Sequence, residues 1–397
     1  MRTLFESIDT YLANNQDFWR FEPFLVSQQQ TLPWVSTHPS LCQWLENLTE
    51  EQIEYYKQDF ASLVATTSQF FPQLELFLQQ LDLASLPLSG LKLERGIDVG
   101  VPGRKLRQIV AMGEASLLKH ESSEWLEWCS GKGFLGRILA SQSQQKVTSF
   151  EYQHDLCLAG QADADKQGLN MDFVQGDAFK AESNEVFNSE QHAVALHACG
   201  DLHVTLIEKA VQHHLPALSI SPCCYHLINS TQYQPLSELA KRSQLDLTQT
   251  ELRIPLQELV TGGERVKRHR TQEMSYRLGL DILLREQLGQ KSYLSVPSVK
   301  KSQLSDGFED FCRWAAVKKS LTLPNCDYQY YLQRGVERFW NMERLSLVQQ
   351  LFKRGLELWL VLDKALYLEQ HGYRVTITEF CSREVTPRNI LLQAIKR

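Results

Sequence analysis

The chain has 397 residues, 43% of them apolar and 22% charged, which is enough for one large α/β domain and a second unit. A net charge of −6 excludes a globally basic coat for nucleic acid, while local basic patches remain open. No apolar run reaches the ~20 residues of a membrane span, and Met1–Gln30 lacks the pattern of a secretory signal.

Residues 1 to about 90 carry aromatic-rich patterns without strand alternation, for example Ile53 to Leu81 with a break at Pro72, and predict an N-terminal helical unit. Leu86–Gly103 is punctuated by Pro87, Gly90, Gly96, Gly100, Pro102 and Gly103 and reads as a connection. A basic amphipathic helix is expected over Arg104–Val110. A short apolar strand, Trp125–Trp128, then breaks at Gly131-Lys132-Gly133 and continues as a helix through Phe134, Leu135, Ile138 and Leu139. Glycines at such a crossing let the backbone turn tightly and approach a ligand. Gly131, Gly133 and Gly136 also satisfy the spacing G-x-G-x-x-G, so a dinucleotide is a competing reading of this segment.

A second strand, Val147–Phe150, ends in Glu151, whose carboxylate can accept from both hydroxyls of a ribose. A helix from about Asp155 stops at Gly168, a residue suited to a C-terminal cap. Strand three, Met171–Val174, ends in Gly176-Asp177-Ala178-Phe179, and strand four, Ala193–Leu196, ends in His197–Asp201. The next helix repeats its apolar residues at Leu202, Leu206, Ile207, Ala210 and Val211. Strand five, Ala217–Ile220, runs into Ser221–His226. A polar, mostly helical stretch fills roughly 228–370. Two further strands, Tyr373–Phe380 and Ile390–Ile395, then predict an antiparallel hairpin that closes a parallel sheet.

Ligands of open α/β sheets bind at the C-terminal ends of the parallel strands, and five such ends here are polar or glycine-rich. The glycine turn, Glu151 and Gly176-Asp177, in that order, resemble the layout of S-adenosylmethionine-dependent methyltransferases. The motifs Cys129-Ser130-Gly131-Lys132-Gly133, Leu196–Leu202 and Cys223-Cys224-Tyr225-His226 resemble a narrower group. Gly103-Arg104-Lys105 and Thr386-Pro387-Arg388-Asn389 add to that likeness. The group holds the methyltransferase-like domain of the glutathione S-transferase C-terminal-domain-containing proteins and, more distantly, the tRNA acceptor-stem 2′-O-ribose methyltransferases. The likeness covers about residues 100–230 and the terminal hairpin. It departs from the common methyltransferase loop at Cys129, where glycine is usual, and the Asn/Asp-Pro-Pro-Tyr of amino methyltransferases is absent.

The resemblance implies an α/β fold with a Rossmann-like, seven-stranded class I methyltransferase sheet. The expected division is a helical unit at 1–90 and a methyltransferase domain at 100–397, with a helical insertion at about 228–370. S-adenosyl-L-methionine is the expected cofactor. Its expected contacts are Glu127, Cys129, Ser130, Gly131, Gly133, Phe134, Glu151, Asp177, Ala178, His197, Cys199 and Asp201, although capping of a helix would also explain Asp201. His226 is the best candidate to orient or deprotonate an acceptor hydroxyl, with Tyr225 lining the site and Cys223 and Cys224 filling space against the cofactor. RNA is the expected acceptor, and the run Arg265, Lys267, Arg268 and Arg270 could follow a phosphate backbone. A protein acceptor, a scaffold without turnover and an NAD enzyme stay open. Nine scattered cysteines point to a reducing, cytoplasmic compartment, and no C-x-x-C or H-x-x-x-H spacing predicts a metal site. Oligomeric state has no signature in the sequence.

Overall fold

The computed structural model describes residues 1–29, 31–257, 263–300 and 304–397, Arg104 without its side chain. The described helices are α1 (Arg2–Asn14), α2 (Pro23–Val26), α3 (Pro39–Glu46), α4 (Glu50–Gln58), α5 (Phe60–Thr67), α6 (Leu74–Gln79), α7 (Gly103–Leu117), α8 (Phe134–Ser143), α9 (His154–Gln167), α10 (Asp201–Gln212), α11 (Glu264–Leu288), α12 (Phe308–Lys319) and α13 (Tyr328–Gln370). None of them is long and apolar enough to cross a membrane.

Seven strands form one sheet: β1 (Glu124–Trp128), β2 (Lys146–Glu151), β3 (Met171–Gln175), β4 (Gln191–Cys199), β5 (Ala217–Cys223), β6 (Tyr373–Glu379) and β7 (Ile390–Lys396). Their order is β3-β2-β1-β4-β5-β7-β6. The first five pair in parallel, and β7 lies antiparallel between β5 and β6. Helices cover the faces of the parallel strands, so β1 and β5 are buried along nearly their whole length. The order reverses between β1 and β4, which places the switch point where a ligand of such a sheet sits. Gly168, at φ 65°, caps α9 as its sequence position predicts. β4 and β5 run three residues further than the apolar runs suggest, to Cys199 and Cys223.

The chain divides into two compact units. One holds Met1–Asn14, Leu78–Leu256 and Arg354–Arg397, and the other Asn15–Phe77 and Gln257–Lys353. The division therefore differs from the expected break near residue 90. α1 belongs with the sheet because it buries Phe5, Ile8 and Leu12, with Phe5 5.3 Å from the Trp359 ring and Asp9 accepting from Trp359 Nε1 at 2.8 Å. Residues 84–86 join the same unit by pairing with Glu379 of β6, through Glu379 N to Ala84 O and Leu86 N to Glu379 O. The second unit is tied by side chains of α13 that reach early backbone. Arg344 donates to Leu45 O and Leu48 O, and Gln349 donates to Trp19 O and Phe21 O. Buried ion pairs there join Lys57 to Glu343 and Arg338 to Asp281, each at 2.6 Å.

Candidate cofactor and acceptor site

The turn after β1 holds three residues in the left-handed region, Cys129 at φ 57°, Gly131 at 59° and Gly133 at 68°. At Cys129 this costs a residue with a side chain roughly 1–2 kcal/mol relative to glycine. The backbone thus makes the usual demand of a glycine turn, and Cys129 meets it under strain. A Cβ added to Gly131 would meet nothing within 4 Å. One added to Gly133 would stand 2.5 Å from Phe173 Cζ, and one at Gly136 would stand 2.5 Å from Glu127 Oε2. Gly131 is therefore the open face of the turn. Gly133 and Gly136 let α8 pack on the sheet, which corrects the expectation that Gly133 opens toward the cofactor as Gly131 does.

Glu151 organises this turn. Its Oε2 accepts from Gly131 N and its Oε1 from Gln153 N, each at 2.9 Å. Each oxygen keeps a further lone pair for a ribose hydroxyl. Glu127 is 4% exposed and lies behind the turn, accepting from Ser149 Oγ at 2.9 Å and from the Leu135 and Gly136 amides. It braces the start of α8, a role unlike the cofactor contact expected of it. Asp177 is half-buried and accepts from Phe179 N at 3.0 Å, while Ala178 beside it is buried. Phe134 is flanked by Lys105 at 5.6 Å and Arg137 at 4.5 Å.

Ser130 Oγ in the turn and Gln108 Nε2, whose Oε1 meets His197, are buried without a hydrogen-bond partner. Orphaned buried groups of this kind cost roughly 1–3 kcal/mol each unless a ligand or water meets them. The open face of Gly131, the orphan hydroxyl of Ser130, and the carboxylates of Glu151 and Asp177 fit a nucleoside cofactor with polar groups along its length. Gln108 was not singled out by its sequence position, because on an amphipathic helix it reads as one more polar residue.

The ends of β4 and β5 are stitched together across the sheet. A register shift between Leu196 and Cys199 sets Cys199 opposite Cys223. Gly200 N donates to Cys223 O at 3.1 Å, Asp201 N donates to Leu227 O at 3.0 Å, and Asp201 Oδ2 accepts from Asn229 N at 2.7 Å. Asp201 is thus occupied by the loop after β5. His197 adopts φ 73° and pairs its Nε2 with Gln108 Oε1 at 3.2 Å. Tyr225 is 2% exposed and donates its hydroxyl to Pro222 O at 3.4 Å, so it is a core residue in place of the lining expected.

The sulfurs of Cys199, Cys223 and Cys224 lie within 4.8 Å of one another. The first two are 3.6 Å apart, and Cys199 Sγ also reaches His197 O at 3.3 Å. Hydrogen bonding from Cys223 holds the Cys224 thiol below its ordinary value, and Cys223 holds its own proton correspondingly tightly. Burial pushes the Cys129 thiol up to about 12. His226 is half-buried, and desolvation followed by the Arg253 charge holds it below the ordinary histidine value.

The basic run starts α11 in the second unit. Lys267 pairs with Glu264 at 3.1 Å and Arg270 with Glu343 at 2.7 Å, whereas Arg265 and Arg268 are exposed. Two of its four cations are therefore already matched by carboxylates. Lys267, Arg268 and Arg270 line a cavity of about 670 Å³ together with Lys57, Glu54 and Trp340.

Residues 104–231 match the model of a protein family described as a methyltransferase domain. With the seven-stranded order and the glycine turn on its first strand, this defines an S-adenosylmethionine-dependent methyltransferase domain of the Rossmann-like class I fold. Three solved structures are similar to parts of the chain. The tRNA (uracil-54, C5)-methyltransferase of Pyrococcus abyssi, in complex with S-adenosyl-L-homocysteine, is 16% identical over 28% of each chain, with a TM-score of 0.24. A SAM-dependent methyltransferase of Aquifex aeolicus is 18% identical over 32% of this chain and 72% of its own, with a TM-score of 0.26. An rRNA methylase of Streptococcus thermophilus is 14% identical over 33% and 71%, with a TM-score of 0.23.

The glycines of the turn should separate by experiment. Gly131→Ala is expected to keep the fold and weaken S-adenosyl-L-homocysteine binding, because its Cβ enters the open face. Gly133→Ala should instead lower the melting temperature of the ligand-free protein, because its Cβ strikes Phe173. Calorimetry and thermal unfolding of both variants check this, and equal behaviour would show that the two glycines share one role.

Proposed function

We propose that the protein transfers a methyl group from S-adenosylmethionine to RNA. The observation that carries this reading is the convergence of cations on the ends of β4 and β5. The charges of Lys105 and Arg388 act on His197, Arg388 acts on Cys224, and Arg253 acts on His226. Such influence falls with distance and is screened within about 10 Å in physiological salt, so these three cations stand near the ends of β4 and β5. Lys105 and Arg253 are exposed, and Arg388 is held by Leu256 O at 3.1 Å. A phosphate backbone answers cations of this kind. The likeness of the strand-end motifs to the tRNA acceptor-stem 2′-O-ribose methyltransferases supports the same acceptor class.

The cofactor supplies a methyl group activated on a sulfonium. The chain's own part would be to hold the cofactor with the Gly131 turn and Glu151, to present the acceptor in line with its methyl group, and to exclude water, and proximity of this kind supplies much of the acceleration. His197, fixed by Gln108, is the exposed polar side chain that meets an acceptor at the end of β4.

Tritium from labelled S-adenosylmethionine is expected to appear in total RNA. Arg253→Glu should weaken RNA binding and reduce the slope of its salt dependence by about one, while cofactor affinity stays unchanged. Label confined to a protein extract would replace this reading with a protein acceptor.

A further inference from the structure

The three cysteines at the ends of β4 and β5 come from two strands and three backbone environments, and the fold takes trouble to bring them together. The register shift after Leu196 turns Cys199 toward Cys223. Irregularities of this kind re-aim a side chain and gather beside functional sites. Cys224 stands at φ 48°, a conformation that costs a residue with a Cβ about 1–2 kcal/mol. What the cluster gains from its own contacts is small, since thiols are weak donors and weak acceptors.

A tetrahedral zinc ion with sulfur ligands at about 2.3 Å sets neighbouring sulfurs about 3.8 Å apart. Cys199 Sγ and Cys223 Sγ stand 3.6 Å apart, with Cys224 Sγ inside the same 4.8 Å group. A disulfide, at about 2.05 Å, would require the first pair to close by more than an ångström and would leave the third sulfur unused. A second observation points the same way. His226, two residues after Cys224, has a buried Nδ1 without a hydrogen-bond partner.

We propose that Cys199, Cys223 and Cys224 bind a zinc ion through their sulfurs, with His226 Nδ1 as the fourth ligand. Soft thiolates with one imidazole are a donor set that selects zinc over magnesium or calcium. His226 lies outside the 4.8 Å sulfur group, so completing the fourth vertex requires its side chain to move toward the sulfurs. With four protein ligands the site is a closed, structural one. It locks the loop after β4 to the loop after β5, the two segments that frame the acceptor face. His226 thereby becomes a ligand and is withdrawn from the proton-accepting role suggested by its sequence position. The ligand pair Cys223-Cys224 and the lone Cys199 have no recognisable spacing in the sequence, since the strand ends alone make them neighbours.

The test uses the full chain, purified under reducing conditions without chelator. Elemental analysis is expected to find one zinc per chain, lost after denaturation with a chelator and regained on refolding with zinc chloride. Cobalt substitution should give tetrahedral bands with sulfur-to-metal charge transfer. Cys199→Ser, Cys223→Ser and Cys224→Ser should each lose bound metal, while Cys326→Ser retains it. Because a cysteine variant could fail to fold, the wild-type measurement decides. Reduced, folded protein that neither contains zinc nor takes up zinc or cobalt overturns the proposal. So does a Cys199–Cys223 disulfide in protein whose thiols were trapped at lysis. None of these readouts depends on methyl transfer, so failure of the RNA reading leaves them intact.

Discussion

Alanine at Gly200 is expected to cost on the order of 4 kcal/mol of stability. Gly200 stands at φ 56° and ψ −126°, a combination essentially reserved for glycine. A Cβ there would overlap the Leu227 carbonyl oxygen and come within 2.5 Å of the carbon that bears it. Relief requires the loop after β5 to move, yet that loop is held by Gly200 N on Cys223 O and by Asp201 N on Leu227 O. Backbone strain of about 1–3 kcal/mol and overpacking of about 1–3 kcal/mol therefore act together. Gly168→Ala is the comparison, since its φ of 65° meets open space and should cost only about 1 kcal/mol. Urea unfolding of the two variants separates strain from collision. Equal losses would mean that the loops after β4 and β5 are not joined at Gly200.

What could be read from the sequence was what a single element shows by itself. Gly168 ends α9 because a left-handed cap leaves a local mark, and β1 and β5 read as strands because they are buried along nearly their whole length. The terminal hairpin was legible for the same reason, from two strand patterns and a short loop. The place of β7 between β5 and β6 was not, because strand order is a property of pairing and not of either strand. The packing of α1 was hidden in the same way. Contacts such as those of Phe5 with the Trp359 ring and of Asp9 with Trp359 Nε1 place α1 with the sheet unit, and no spacing in the sequence reveals them.

At the site the same distinction holds. Glu151 was recognisable as an acid at a strand end, but its grip on Gly131 N is a contact that spacing cannot reveal. Gly131 and Gly133 look equivalent in a glycine turn, and the direction of an absent Cβ separates them. Cys199 and Cys223 are 24 residues apart and meet only through the parallel pairing of β4 with β5. The basic run of α11 looked like a phosphate track because Glu343, which takes Arg270, lies 73 residues away. In each case residue type was informative and the partner was not.

Glu127→Gln is expected to remove a pH dependence of stability on the order of 3 kcal/mol between about pH 4.5 and pH 7. Burial raises this carboxyl from 4.5 to about 7, outweighing the hydrogen bonds from Ser149 and from the Gly136 and Leu135 amides and the more distant Arg137 charge. Within that window the native chain keeps a proton that the unfolded chain has released. The contribution of Glu127 is then fully present below its unfolded value and is lost as pH rises through its folded one. Glutamine is neutral throughout and can still accept from Ser149 Oγ, so its stability should not follow that fall. His192 and His203, both held to about 3 chiefly by burial, work in the opposite sense, adding stability as pH rises toward the ordinary histidine range. They are present in both proteins and cancel in the difference. Urea unfolding without cofactor, from pH 4.5 to pH 8, gives that difference directly. Parallel curves for the two proteins would mean that Glu127 is ionised beneath α8 at every pH, with the amides at the helix start holding its charge.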